Sequence, residues 1–316
     1  MKFVVFDDDR LGLWEEARVL DLAAAPGADT EVFVGLENLI AAGDRGLDLV
    51  RTLAEYVHGS DQPGLWQDIS QVRLRPPWPG QRFALAGANN ADHMSSAFTH
   101  MGTPLTADEA RRTGRAGAPA GFWGMARPVM GPEVEIVIPA RADGYFDYEG
   151  EPAVVLGKSG KDIKADQFTD FVWGVTLVND WSIREPVWPP GPLDPWAVVK
   201  NFDSSKSIGP CIVVDEVDLD DFRIETLVND QVRQSFLASD MIFSFPEILE
   251  HLSRDFTVLA GDVLSGGTGS GTAIDQTLPN QDGSWPRDLF LRPGDRVEVR
   301  SPQVGSLANT VVAKSL

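Results

Sequence analysis

The chain has 316 residues, 43% of them hydrophobic and 23% charged, which is enough apolar material for one large domain or for a large and a small one. A formal net charge of −20 with no basic cluster excludes a nucleic-acid footprint. The single cysteine, Cys211, excludes an internal disulfide and a thiolate metal site.

From the N-terminus, residues 2–6 (KFVVF) read as a strand, and 16–24 as a second strand paired to it through a turn at Gly12. The start carries no signal-peptide apolar region, and no apolar run is long enough to span a membrane, so a cytoplasmic, non-membrane protein is expected. Residues 35–57 carry Leu36, Leu39, Ile40, Leu47, Val50, Leu53 and Val57 at helical spacing. Gly43 and Gly46 should split that helix, and Gly59 should end it. This makes a small α+β unit over residues 1–75. The Pro76–Gly80 run then marks a boundary. Beyond it, residues 76–316 show short apolar runs at 83–87, 134–138, 152–156, 171–178, 211–214, 223–228, 257–264, 296–299 and 308–313, a β-rich pattern. Helices are expected at 163–170 and 244–253. Cys211, in an apolar setting, reads as a buried, inert thiol.

One strand start is unusual. Residues 146–158 (FDYEGEPAVVLGK) send carboxylates into an apolar strand, where bare charge is costly. Side chains at i and i+2 of a strand share a face, so Glu149 and Glu151 converge. A second apolar strand, 173–180, ends in Asp180. Three carboxylates at strand ends form an all-oxygen ligand set of the kind that hard cations take. A cation there could hold a chelating 1,3-dicarbonyl or 2-oxo acid and stabilise its enolate.

Segments in this order resemble the fumarylacetoacetate hydrolase family: ANNADH (88–93), DYEGE (147–151), VNDWSIRE (178–185), KNFDSSKSIGP (200–210), AGDVLSGGTGSG (260–271), and LRPGDRVEV with VGSLANTV (291–311). The resemblance covers about residues 80–313. It implies an α+β fold dominated by a mixed β-sheet roll, and commonly a homodimer. It implies that Glu149, Glu151 and Asp180 bind Mg²⁺, Mn²⁺ or Ca²⁺. Lys200 falls on the family's active-site lysine. Arg184 would contact a substrate oxygen, and Thr268 a substrate carboxylate through its backbone and hydroxyl. His93 becomes the candidate general base, acting on water or on a carbon acid. His58 and His251 on helices, and His100 in a loop, read as structural. The glycine run at 266–271 lacks dinucleotide-loop spacing, and no helix is expected after it.

Three positions depart from the family pattern. Ser96 stands where many small members place a glutamate beside the histidine, so Glu109, Asp275 or Asp282 would have to serve as its partner. Val187 replaces an orienting glutamine, and Asn89-Asn90 replaces Asn-Tyr. The segment 94–127 reads as a lid, with Arg111, Arg112 and Arg115 available to an anionic substrate. The expected activity is metal-dependent C–C bond hydrolysis of an acylpyruvate- or fumarylpyruvate-like oxo acid. The alternatives are an isomerase, decarboxylase or lyase using the same enolate, or a metal-stabilised binding scaffold without turnover.

Overall fold

β1 (Lys2–Phe6) and β2 (Arg10–Glu15) pair antiparallel, and the reversal between them uses Asp7 and Asp9, both in the left-handed region (φ 49° and 63°). Gly12 is therefore not the expected turn. It lies mid-strand opposite Val4, where an added Cβ would stand 2.4 Å from Val19 Cγ1, so packing excludes a side chain. The expected strand at 16–24 shortens to β3 (Arg18–Asp21), which pairs with β2 and not with β1. α1 (Leu36–His58) breaks at Gly43 (φ 55°, ψ −138°) but runs through Gly46, and Gly59 caps it. The computed structural model describes residues 1–59, 64–80, 82–100, 102–125, 127–184, 199–214 and 217–314.

β4 (Trp66–Asp68) and β5 (Leu74–Arg75) complete the N-terminal part. The chain then forms β6 (Phe83–Gly87), α2 (Ala91–His100), α3 (Ala107–Arg115), β7 (Ala120–Gly124), β8 (Glu135–Val137), β9 (Phe146–Asp147) and β10 (Gly150–Leu156). The helix expected at 163–170 is a 3-10 turn at 165–167 followed by the short α4 (Phe168–Phe171), too brief to hold an amphipathic face. After it come β11 (Val172–Asp180), β12 (Ser182–Ile183), β13 (Lys206–Val213), β14 (Arg223–Val228), β15 (Gln231–Leu237) and α5 (Phe245–Ser253). Of the run 257–264 only its end becomes strand, as β16 (Val263–Ser265). The chain finishes with α6 (Ala273–Gln276), β17 (Arg296–Ser301) and β18 (Gly305–Val312). α6 is a turn of helix where none was expected, started by a reciprocal Thr272–Asp275 capping box. His100 ends α2 and is not in a loop.

An 11-stranded mixed sheet runs β4-β3-β2-β1-β13-β11-β10-β16-β6-β7, with β5 also on β1. A five-stranded sheet runs β15-β14-β17-β18-β8, and β9 pairs with β12. The N-terminal strands join the rest directly, since β1 pairs with β13 (Phe3↔Ile212). One face of the large sheet is covered by α1, with Phe3, Leu39, Val50, Val155 and Ile212 in a common core. Its other face packs Val154, Leu177 and Val213 against Ile224, Val299 and Leu307 of the small sheet. The alternation of β-branched and aliphatic residues supplies both faces at once. Cys211 is buried there and burial pushes its thiol up to about 12, the inert state expected. Among the described residues no helix is long and apolar enough to cross a membrane.

Candidate active site

The carboxylates meet where β10 begins and β11 ends. The two strands pair antiparallel with Gly150 opposite Asn179. Glu149, Glu151 and Asp180 are all buried, and one oxygen from each lies within 4.8 Å of the others. Their backbone is tightly held. Glu149 N donates to Asn179 Oδ1 (3.0 Å), Gly150 N to Gln234 Oε1 (3.1 Å), and Thr268 Oγ1 to Gly150 O (3.0 Å). Thr268 Oγ1 also accepts from Gln234 Nε2, so the single proton of its hydroxyl is spent within the protein.

Cations interleave with these acids. Arg184 Nε donates to Asp147 Oδ2 (3.0 Å), and its Nη2 to Glu149 Oε1. Lys200 Nζ reaches Glu149 Oε2, Asp180 Oδ2 (3.0 Å) and Ser182 Oγ (2.6 Å). Lys206 Nζ lies 2.7 Å from Asp180 Oδ1. Ser265 Oγ donates to Glu151 Oε2. Burial works to raise the Glu149 carboxyl, but the Lys200 and Arg184 charges outweigh it and hold it below the ordinary range. For Glu151, burial together with the Asp180 and Glu149 charges outweighs the Lys200 charge and the Ser265 hydrogen bond and pushes it well above.

Five carboxyl groups, those of Asp147, Glu149, Glu151, Asp180 and Asp275, face the three cations Arg184, Lys200 and Lys206, so acidic groups are in excess. Asp180 Oδ1 is buried and lacks a hydrogen bond of good geometry despite the Lys206 ion pair. The all-oxygen donor set, its crowding and this oxygen fit a hard divalent cation.

His93 enters from α2, whose start is held by Asn90 Oδ1 accepting from the backbone N–H of Asp92 and His93. Asn89 ties that turn to Phe243 and Gly266, so both asparagines are used structurally. His93 Nδ1 lies 2.9 Å from Asp275 Oδ2. Burial lowers the imidazole pKa, Asp275 raises it, and the net shift is upward. Asp275 is itself held by Gly271 N and Thr272 N at the start of α6. Of the other two candidates, Glu109 is spent in the α3 capping box with Thr106, and Asp282 is exposed and bonded to Ser284.

A cavity of about 210 Å³ gathers His93, Glu149, Asp180, Arg184, Lys200 and Thr268, with Glu151 buried behind them. Its apolar wall is Ala86, Ala88, Ala97, Phe122 and Ile274. The segment expected as a lid contributes Ala97 and Phe122, but it is built of α2, α3 and the edge strand β7. Arg111 is committed to the carbonyls of Asp240 and Met241, and Arg115 to Glu247, so neither serves this cavity. Val187 lies outside the described residues. Sequence reasoning missed two groups. Asp147 is fully buried and accepts from Arg184 and from the backbone N–H of Ala273 and Ile274. Lys206 is the other. Asp147 stood in the alternation Asp147, Glu149, Glu151 of DYEGE but was given no role, and nothing in the spacing of KNFDSSKSIGP marked Lys206.

A family model described as "Fumarylacetoacetate (FAA) hydrolase C-terminal" matches residues 83–312. The chain is 30% identical over 318 residues to oxaloacetate tautomerase YisK of Bacillus subtilis (strain 168), covering 98% of this chain and 95% of that protein. Among solved structures it resembles fumarylacetoacetate hydrolase from psychrophilic Exiguobacterium antarcticum, with TM-score 0.74, 26% identity, and coverage of 99% of this chain and 100% of that one. Maleylpyruvate hydrolase from Sphingobium sp. SYK-6, solved with manganese(II) ion and pyruvate, shares the fold at TM-score 0.73 and 21% identity, with both chains fully covered.

Proposed function

The chain belongs to the fumarylacetoacetate hydrolase family, and from that premise we propose that it is a divalent-metal-dependent enzyme interconverting the keto and enol forms of a compact 2-oxo acid. The observation that carries this reading is the shared cavity. The Asp275-backed imidazole of His93 and the Lys200–carboxylate cluster open on the same small space. A base acting directly on carbon needs less room than a base, a water and a substrate together. The full-length likeness to an oxaloacetate tautomerase supports the same choice.

His93 takes the proton from C3 of the substrate. Its Nδ1 is held by Asp275, which leaves Nε2 for that task. The C–H electron pair becomes the C2–C3 double bond, and the 2-oxo oxygen gains the negative charge. Lys200 stabilises that oxygen through its positive charge. Arg184 is assigned to the carboxylate end of the substrate, together with the backbone N–H of Thr268, whose hydroxyl proton is committed to Gly150 O. A divalent ion on Glu149, Glu151 and Asp180 supplies Lewis-acid polarisation of the oxo group when bound. The His93 imidazolium then delivers that proton to the enolate oxygen to give the enol, and the reverse path returns it to C3.

C–C hydrolysis is the second reading, favoured by the same His93–Asp275 pair, which can equally deprotonate water. The test follows oxaloacetate and acylpyruvates by ultraviolet absorbance with Mg²⁺ or Mn²⁺, with EDTA and Glu149→Ala controls and product masses. Metal-dependent interconversion at unchanged mass supports tautomerisation. Gain of one water selects hydrolysis, and loss of carbon dioxide selects decarboxylation. Metal binding with no turnover of any compound overturns the enzyme reading in favour of a binding scaffold.

A further inference from the structure

We propose that Lys206 is a positioning residue that moderates the divalent-cation affinity of the carboxylate cluster while holding the Lys200 ammonium in place. This rests on the metal reading above.

Lys206 opens β13 directly opposite Asp180 of β11. Directly paired residues of adjacent strands share a face of the sheet, so the lysine must deliver its charge to the end of β11. Its side chain is fully buried. The stem is confined: a Cβ added to Gly124 would stand 3.1 Å from Lys206 Cε, and the Phe122 ring centre lies 5.9 Å from Nζ. An ammonium has three protons. Here Nζ forms an ion pair with Asp180 Oδ1 at 2.7 Å and donates to the backbone carbonyls of Lys200 and of Ser205, the latter at 3.2 Å. Lys206 is not among the residues that line the cavity, and its contacts described above are with the protein itself.

Two consequences follow from those contacts. The bond to the Lys200 carbonyl anchors the backbone from which the Lys200 side chain reaches Glu149, Asp180 and Ser182. The positive charge beside Asp180 Oδ1 also opposes a divalent ion that shares this carboxylate, at short range and in a buried setting. Lys206 therefore weakens cation binding while keeping the crowded acids partly neutralised before an ion arrives.

The test compares Mn²⁺ binding by calorimetry, thermal stability with and without Mn²⁺, and steady-state kinetics for the wild type, Lys206→Met and Lys206→Gln. Methionine keeps the stem and loses both charge and donors. Glutamine loses the charge but keeps an amide donor for the Lys200 carbonyl. Both variants are expected to bind Mn²⁺ about tenfold or more tightly. Lys206→Met should lose kcat more than it changes KM, and Lys206→Gln should recover part of that kcat. A residue that only supports packing would instead weaken Mn²⁺ binding. Unchanged or weaker binding in both variants overturns the proposal, as does failure of both to fold at saturating Mn²⁺. Absence of Mn²⁺ binding by the wild type overturns the metal reading itself, and this role with it.

Discussion

His93 shows how two opposing influences at one residue decide its chemistry. Burial disfavours the imidazolium, the Asp275 carboxylate favours it, and the carboxylate prevails. A base works only when deprotonated, so activity should fall with decreasing pH through a midpoint above the ordinary imidazole value of 6.5. Asp275→Asn removes the larger raising influence and leaves only the Glu149 charge against burial, so that acid limb should move to lower pH. The same change should lower kcat by about 10²-fold through loss of ring orientation. A kcat/KM profile against pH measures both, and an unmoved limb would show that another group titrates. The candidate site was largely legible at this scale. Glu149, Glu151, Asp180, Lys200, Arg184, His93 and Thr268 stand in recognisable segments, and the structure brings them to one place. The partner of His93 was not legible, because three carboxylates were equally eligible and only the fold selects Asp275, 182 positions away.

At the scale of elements, the antiparallel pairing of β10 with β11 carries the site, and Gly150 is its tightest point. A Cβ there would stand 2.1 Å from Thr226 Oγ1 and 3.1 Å from Val299 Cγ1, both in the small sheet. Gly150→Ala should therefore force the sheets apart locally and cost about 1–3 kcal/mol in urea unfolding. It should also weaken Mn²⁺ binding, since Glu149 and Glu151 flank the displaced residue. A variant as stable as the wild type would show that the sheets yield freely. Most strands were legible from apolar runs, because alternation and β-branched composition are local signals. Gly12 misled for a physical reason. A glycine required by close packing in mid-strand looks, in sequence, the same as one required by a turn.

For the whole molecule, the buried acids place electrostatic strain at the end of a large sheet, and a cation that binds only the folded state should relieve it. Addition of Mn²⁺ at a hundredfold excess over Kd should add about 2.7 kcal/mol of stability, read as a rise in Tm. Glu149→Ala should abolish most of that rise, and an equal rise in the variant would place the ion elsewhere.

The sequence alone determined the chemistry on offer: carboxylates at the ends of apolar strands, a lysine, an arginine and a histidine in family order, and a β-rich α+β architecture. The carboxylates and the strands follow from residue type and short-range spacing, which the chain carries locally, and the lysine, arginine and histidine from the resemblance to the family. Tertiary structure decided which groups act together. It joined the N-terminal strands to the main sheet through β1 and β13, paired His93 with Asp275, fastened Asp147 to α6, and set Lys206 opposite Asp180. The reason is that these contacts depend on strand register and on the packing of distant elements, which one stretch of sequence does not encode by itself.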